Sequence, residues 1–405
     1  MVVMIGIDPH KGSHTATAID ETENVLGTVR VRSGPTQVEQ LLGWVAQFTQ
    51  RTFAVEGAGG LGYLLAQQLV AADEHVVDVQ PKLAARVRLL SSTATNKNDP
   101  NDARSVAIAA LRSPSAVEVH AEDHTAVMKV WARRHRDLGR LRTQVACRMH
   151  AVLCELMPGG YSGEISANRA EKLLGEIEPQ GAVVTARHEL GLELLADLRR
   201  IDEQKRDVRK RIAAVVVASK TSVTEIFGVG PIVAATVIGY VGDVSRFPSK
   251  DHFAAYNGTA PVEVSSGPRK IYRLSRRGNR RLNHAIHMAA VTQVHNHHSE
   301  GRTYYDRKIT EGKTGKEALR ALKRRISDAL YRQLQIDAMS ARVVTIMGSG
   351  GQSGNGSKAC VTDSHPEGRL FGQATPEPDA TLQPAAKSVN SKAPESPLQG
   401  AQKAS

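Results

Sequence analysis

Cysteine is nearly absent from this chain of 405 residues: Cys147, Cys154 and Cys360 are the whole supply. Three thiols without metal-ligand spacing exclude a disulfide framework and suit a reducing cytosol. Long apolar runs are lacking too. The longest, Ile212 to Ala218, falls far short of the roughly 20 residues a membrane helix needs. The apolar start, Met1 to Ile7, meets Asp8 at once with no basic stretch before it, which is not the pattern of a secretory signal. Acidic residues are in deficit, 41 Asp and Glu against 53 Lys and Arg, so the net charge is +12. A soluble, intracellular protein with polyanionic partners and no membrane is expected. At 41% hydrophobic, the chain has material for more than one core, and its length predicts two or three domains.

Residues 1–112 alternate between strand-like and helix-like stretches. Val2 to Ile7, Thr15 to Ile19, Val25 to Val31, Thr52 to Val55 and His75 to Val79 read as strands, while Gln37 to Phe48 and Leu61 to Ala72 carry helical spacing. This order predicts a layered mixed sheet covered by helices. Residues 113–220 lose the strand signals. A long helical pattern covers Asp123 to Leu156, with Leu138, Val145 and Val152 seven apart, and Pro158-Gly159-Gly160 ends it. Leu194, Leu198, Ile201, Lys205, Val208, Ile212 and Val215 then form a heptad seam, which suits either a helical hairpin or an intersubunit coiled coil. Residues 221–347 are again compact in composition. From residue 348 onward six of the 17 prolines occur and Phe371 is the only aromatic, so a disordered tail is expected.

The positive charge is localised. Between Ser266 and Gln335 stand 17 Lys and Arg against five acids, an excess equal to that of the whole chain, which reads as a nucleic-acid footprint. A second cluster, Lys129, Arg133, Arg134, Arg136, Arg140, Arg142 and Arg148, lies on the first long helix with Asp137 as its one acid. A solvated helix face is the ordinary meaning of one such run; two of them favour a polyanion. Gly228-Val229-Gly230-Pro231 between two apolar stretches has the form of a helix-hairpin-helix, whose free backbone N–H groups can hold a phosphate. His284, His287, His295, His297 and His298 have no cysteine nearby and one close acid, Glu300, so a polar surface is favoured over zinc.

Four carboxylates stand at informative places. Asp8 and Glu56 end strand candidates, and Asp99 and Asp102 lie three apart around Pro100 at the start of a helix. Acids at strand ends meet at one rim of a sheet, and an i,i+3 pair shares one helix face. Together they would repel unless divalent cations sat among them, and two Mg²⁺ ions so held suit phosphoryl transfer. One motif competes. Gly57-Ala58-Gly59-Gly60-Leu61-Gly62 with Asp78 about 20 residues on fits the dinucleotide fingerprint. Against an NAD-binding oxidoreductase, Glu56 would crowd a pyrophosphate and the basic C-terminal segment would have no use.

The set Asp8, Glu56, Asp99 and Asp102, the helical insert, the Gly228–Pro231 turn and the segment Tyr256-Asn257-Gly258-Thr259-Ala260-Pro261 with Ser265-Ser266-Gly267 together resemble the DEDD insertion-sequence transposases (insertion-sequence family one-ten), relatives of the Piv invertase. The resemblance covers about residues 3 to 345. It implies a RuvC/RNase H-like domain whose four acids bind Mg²⁺ (residues 1–112), a helical or coiled-coil linker (113–220), and a mainly helical transposase domain (221–347). It also implies a serine nucleophile in the C-terminal domain, here Ser266 or its neighbour Ser265, which would otherwise read as a polar turn. The family pattern has Leu more often where Thr259 stands. Arg269, Lys270, Arg273, Arg276 and Arg277 follow the serine and could clamp phosphate oxygens. Further implications are double-stranded DNA as substrate, a structured guide RNA held near Arg133, Arg134 and Arg140, a homo-oligomer, and a place on the nucleoid in a bacterial cytoplasm. A RuvC-like junction nuclease using water, and a non-catalytic nucleic-acid-binding protein, are the alternatives.

Overall fold

Unbroken burial makes the centre of a sheet and alternating burial makes its edge. Val3–Pro9 (β1) and Ser13–Ile19 (β2) are buried almost throughout, as strands covered on both faces must be. Val25–Arg32 (β3) keeps Thr28, Arg30 and Arg32 exposed while Val31 is buried. The computed structural model describes residues 2–91, 99–113, 116–266, 269–274 and 278–348, with 91, 262–266, 269–274 and 341–348 as backbone. β1, β2 and β3 form an antiparallel meander. β1 then pairs in parallel with Arg51–Glu56 (β4), and β4 in parallel with Val76–Val79 (β5). The order β3-β2-β1-β4-β5-β6, with the short antiparallel Val117–Glu118 (β6) at the far edge, is a mixed sheet of RuvC/RNase H-like type.

Gln37–Val45 (α1) and Tyr63–Ala71 (α2) cover one face of the sheet, packing Leu41, Val45, Leu65 and Leu69 against Ile5, Ile7, Phe53 and Val55. Pro81–Ser91 (α3) and Asp99–Leu111 (α4) cover the other, where Ala84, Val106 and Ala109 meet Ala54, Val77 and Val79. The small side chains of α4 let it lie very close to β1. A Cβ added at Gly6 would stand 2.1 Å from the Ala103 carbonyl oxygen and 2.4 Å from the Ala107 nitrogen, so only glycine admits this approach. Gly6→Ala should therefore cost about 1–3 kcal/mol through overpacking. A thermal unfolding curve will show it, and an unchanged midpoint would mean that α4 moves away without loss.

Beyond the sheet the chain is helical. His124–Leu156 (α5) starts at Asp123, whose side chain accepts from the Thr125 N–H at 2.9 Å. Ala167–Gly175 (α6) and Ala182–Ala218 (α7) follow. Leu138, Val145 and Val152 of α5 share a core with Leu194, Leu198, Ile201, Val208 and Ile212 of α7, so the chain's own α5 occupies the heptad seam as a helical hairpin. Arg142 donates to Asp202 across it at 2.7 Å. Burial lowers the pKa of Lys205, the seam's polar member, with Arg142 and Arg209 adding to the effect.

The last part comprises Pro231–Val241 (α8), Lys250–Asn257 (α9), the hairpin Pro261–Ser266 (β7) and Arg269–Leu274 (β8), then Arg280–His295 (α10), Glu300–Thr310 (α11) and Gly315–Gly348 (α12). The helix-hairpin-helix is asymmetric, because its first limb is a single 3-10 turn, Val223–Glu225. Residues 349–405 of the expected tail, with Cys360, lie outside the described residues. Among the described residues, no helix is long and apolar enough to cross a membrane.

Candidate active site and nucleic-acid interface

Asp8 sits near the end of β1 on the face that α4 covers, because it alternates with Gly6. Glu56 ends β4 on the same face, alternating with Ala54, which packs under α4. Asp99 and Asp102 occupy the first turn of α4. The close α4–β1 approach thus draws together four acids that are far apart in sequence. Oxygen atoms of Asp8 and Asp99 and a ring nitrogen of His10 all lie within 4.8 Å of one another. Asp102 instead pairs with Arg88, and Glu56 stands outside that tight group.

Electrostatics link all four. Burial raises the pKa of Asp8; His10 and Arg88 oppose this, while the Asp102 and Asp99 carboxylates add to it. Burial also raises that of Glu56, followed by the charge of Asp8. Such crowding favours a bound cation. Arg88 on Asp102, and Arg30 at 3.9 Å from Asp99, offset part of the negative charge. The donor set, carboxylate oxygens and one imidazole, fits a hard divalent ion. His10 escaped sequence analysis, although its place two residues after Asp8 was the available signal, since such residues share a strand face.

The competing glycine motif has a structural use. The Asp78 carboxylate accepts the Ala58 N–H at 2.7 Å, and the Gly60 and Gly62 N–H groups donate to the Gly57 carbonyl. The acid that a ribose would need is held by its own loop.

The two basic clusters meet partway. Arg133, Arg134 and Arg140 of α5 are exposed, and Arg134 reaches Gln204 of α7 at 3.1 Å. Arg142 is spent inside the hairpin on Asp202 and Glu164. A groove of about 790 Å³ runs between α5, α8 and α10. Arg136, Arg140, Arg280, Arg281 and His284 line it beside Gly230, Pro231, Ile232 and Met288. Gly230 therefore faces a charged cleft. Gly228, at φ +82°, instead packs on α10, where a Cβ would come within 2.8 Å of the Ala289 carbonyl oxygen.

Ser265 and Ser266 close β7, in register with Lys270 and Arg269 of β8. Residues 267–268 between the strands, and Arg276 and Arg277 beyond β8, lie outside the described residues. Both ends of the hairpin are tied to one polar knot. The Asn283 amide donates to the Asn257 and Gly258 carbonyls at 3.0 and 3.1 Å, and the Asn279 N–H donates to the Tyr256 carbonyl at 2.6 Å. Buried Asn257 donates to Ser327 at 2.7 Å, and Lys323 to Asn283 at 2.7 Å. Thr259 donates its hydroxyl to Asn257 at 2.7 Å, a bond that leucine could not make.

Comparison with known proteins agrees with this geometry. Residues 5–158 match the DEDD transposase family of the IS110 type, and residues 220–306 match the family described as "Transposase IS116/IS110/IS902 family". The 44.8 kDa protein of insertion element IS116 from Streptomyces clavuligerus is 25% identical over 82% of this chain and 94% of its own length. The transposase for insertion sequence element IS1111A of Coxiella burnetii is 27% identical over 69% of this chain and 74% of its own. Among solved structures, T. thermophilus RuvC in complex with a Holliday junction substrate aligns over 29% of this chain and all of its own, at 20% identity and a TM-score of 0.25.

Proposed function

Because this chain belongs to the IS110-type DEDD transposases of insertion sequences, we propose that it cuts and rejoins DNA at the ends of such an element. Asp8, Glu56, Asp99 and Asp102 hold Mg²⁺, with His10 beside them, and Ser266 is the nucleophile, with Ser265 as the alternative. The observation that carries the reading is the meeting of Asp8 and Asp99 oxygens with His10 within 4.8 Å, from segments some 90 residues apart.

The bound metal would neutralise charge on the scissile phosphate and lower the barrier to displacement. The serine hydroxyl gives up its proton and bonds to phosphorus as the bond to the 3′ oxygen breaks, and that oxygen takes up a proton. The resulting 5′-phosphoserine link conserves the bond energy, so a new 3′ hydroxyl can displace the serine without ATP. Arg269, Lys270 and Arg273 of β8, with Arg276 and Arg277, hold phosphate oxygens near that serine. A structured RNA from the element guides target choice, and the groove lined by Arg140, Gly230 and Arg281 suits a nucleic-acid backbone. The protein acts as a homo-oligomer on double-stranded DNA.

The test is the covalent link itself. Wild-type protein incubated with Mg²⁺, the element's RNA and DNA carrying the element ends should yield a protein–DNA adduct that survives SDS and is removed by protease. Cut DNA without any adduct would instead favour a RuvC-like nuclease that uses water.

A further inference from the structure

One face of the sheet carries a second charged feature beside the acids. Asp8 lies opposite Thr15, and Thr15 lies opposite Arg30, so the three form one row across β1, β2 and β3. The next row pairs Ser13 with Arg32, while the His10 N–H donates to the Ser13 carbonyl at 3.0 Å. Directly opposed residues of neighbouring strands share a face. Acids and His10 thus occupy the first column, hydroxyls the second and arginines the third.

Arg30 and Arg32, with Gly12 and Ser13, line an open cavity of about 480 Å³. Arg30 is steered toward it by a 3.1 Å bond from its Nε to the Ser13 hydroxyl, and its ion pair with Asp99 is long, 3.9 Å. Arg32 has no acidic partner among the described residues. β3 is an edge strand, so this column is open to a long ligand.

Resting on the reading above, we propose that Arg30 and Arg32 form a phosphate rest for the DNA strand being cut. They hold a phosphodiester flanking the one at the acids. Two strand spacings, about 9.5 Å, separate the arginine column from the acid column. A strand laid across β1, β2 and β3 therefore meets the acids with one phosphate and the guanidinium groups with a flanking one. Ser13 lies between them with a hydroxyl able to donate. The arginines cannot bind metal and are too far from Asp8 to neutralise it directly, so the complement they ask for is an anion. Guanidinium suits phosphate because it offers paired N–H donors in a plane.

The test measures binding of a fluorescent 30-bp DNA duplex by anisotropy across 50–200 mM salt, with an RNA hairpin as second probe. Each phosphate contact contributes a slope of about 0.9 in log K against log salt. The R30A/R32A double variant should therefore bind more weakly at low salt, and its fall in affinity over that range should be about tenfold smaller than that of wild type. R30K/R32K should keep most of the slope. R187A/R199A, which removes two arginines already paired with Glu155 and Glu171 on α7, should leave the slope unchanged. A DNA slope unaltered in R30A/R32A, an equal change in R187A/R199A, or a change confined to RNA would each overturn the phosphate rest. Wild-type protein that bound neither probe would remove the nucleic-acid reading itself, and the rest with it.

Discussion

Asp8→Asn is expected to slow DNA cutting by about 10³-fold while leaving the fold at least as stable as before. The rate follows from the charge stabilisation assigned to the metal, several kcal/mol; about 4 kcal/mol corresponds to three tenfold steps. The stability follows from crowding. Asp8 is 8% exposed, and burial together with Asp102 and Asp99 already disfavours its charged form. Asparagine keeps the shape and removes the charge that the metal-free fold must accommodate, a familiar conflict between stability and activity. Thermal unfolding with Mg²⁺ provides the second readout. Wild type should gain about 2.7 kcal/mol at a metal concentration 100 times the Kd, and the variant far less. Cutting at the wild-type rate would remove Asp8 from the chemistry. A large fall in the unfolding midpoint would make its role structural.

Much of this arrangement was legible in the sequence because strands and their ends announce themselves locally. Alternation in Val25 to Val31 fixed an edge strand, and β1 and β2 fell within a residue or two of their predicted places. The carboxylates were found by position, at the ends of apolar runs and in a helix's first turn. Their convergence depends on Gly6, whose missing side chain lets α4 lie against β1. That closeness is a property of two surfaces and leaves no periodic trace.

What escaped notice is nonlocal. His10 joins Asp99 only once α4 has docked, and Arg30 falls in line with Asp8 only once β1, β2 and β3 have paired in register. Charge counting located the basic segments but could not separate their uses. Arg142 looked like its neighbours on α5, yet it holds Asp202 inside the hairpin, whereas Arg140 lines the groove with Arg280 and Arg281. The heptad seam was equally ambiguous, because the same spacing serves a partner helix from the same chain or from another. Here α5 takes that place.

Ser266→Ala should abolish both strand joining and the covalent adduct, lowering the rate by at least about 10⁴-fold, as loss of a nucleophile does. Ser265→Ala should retain activity within a few-fold, since neighbouring positions of a strand serve opposite faces and one hydroxyl suits one reaction point. Reversal of the two results would move the role to Ser265. Cutting undiminished in the double variant would leave water as the nucleophile. Mixing then asks where the parts of the site come from. The acids lie in the sheet and the serine at the tip of β7, so in a symmetric oligomer one subunit can supply each. If dimers form at random from Asp8→Asn and Ser266→Ala chains, half are mixed and each mixed dimer rebuilds one intact site. About a quarter of wild-type activity should return. A strictly inactive mixture of proteins that do exchange subunits would mean that the serine meets the acids of its own chain.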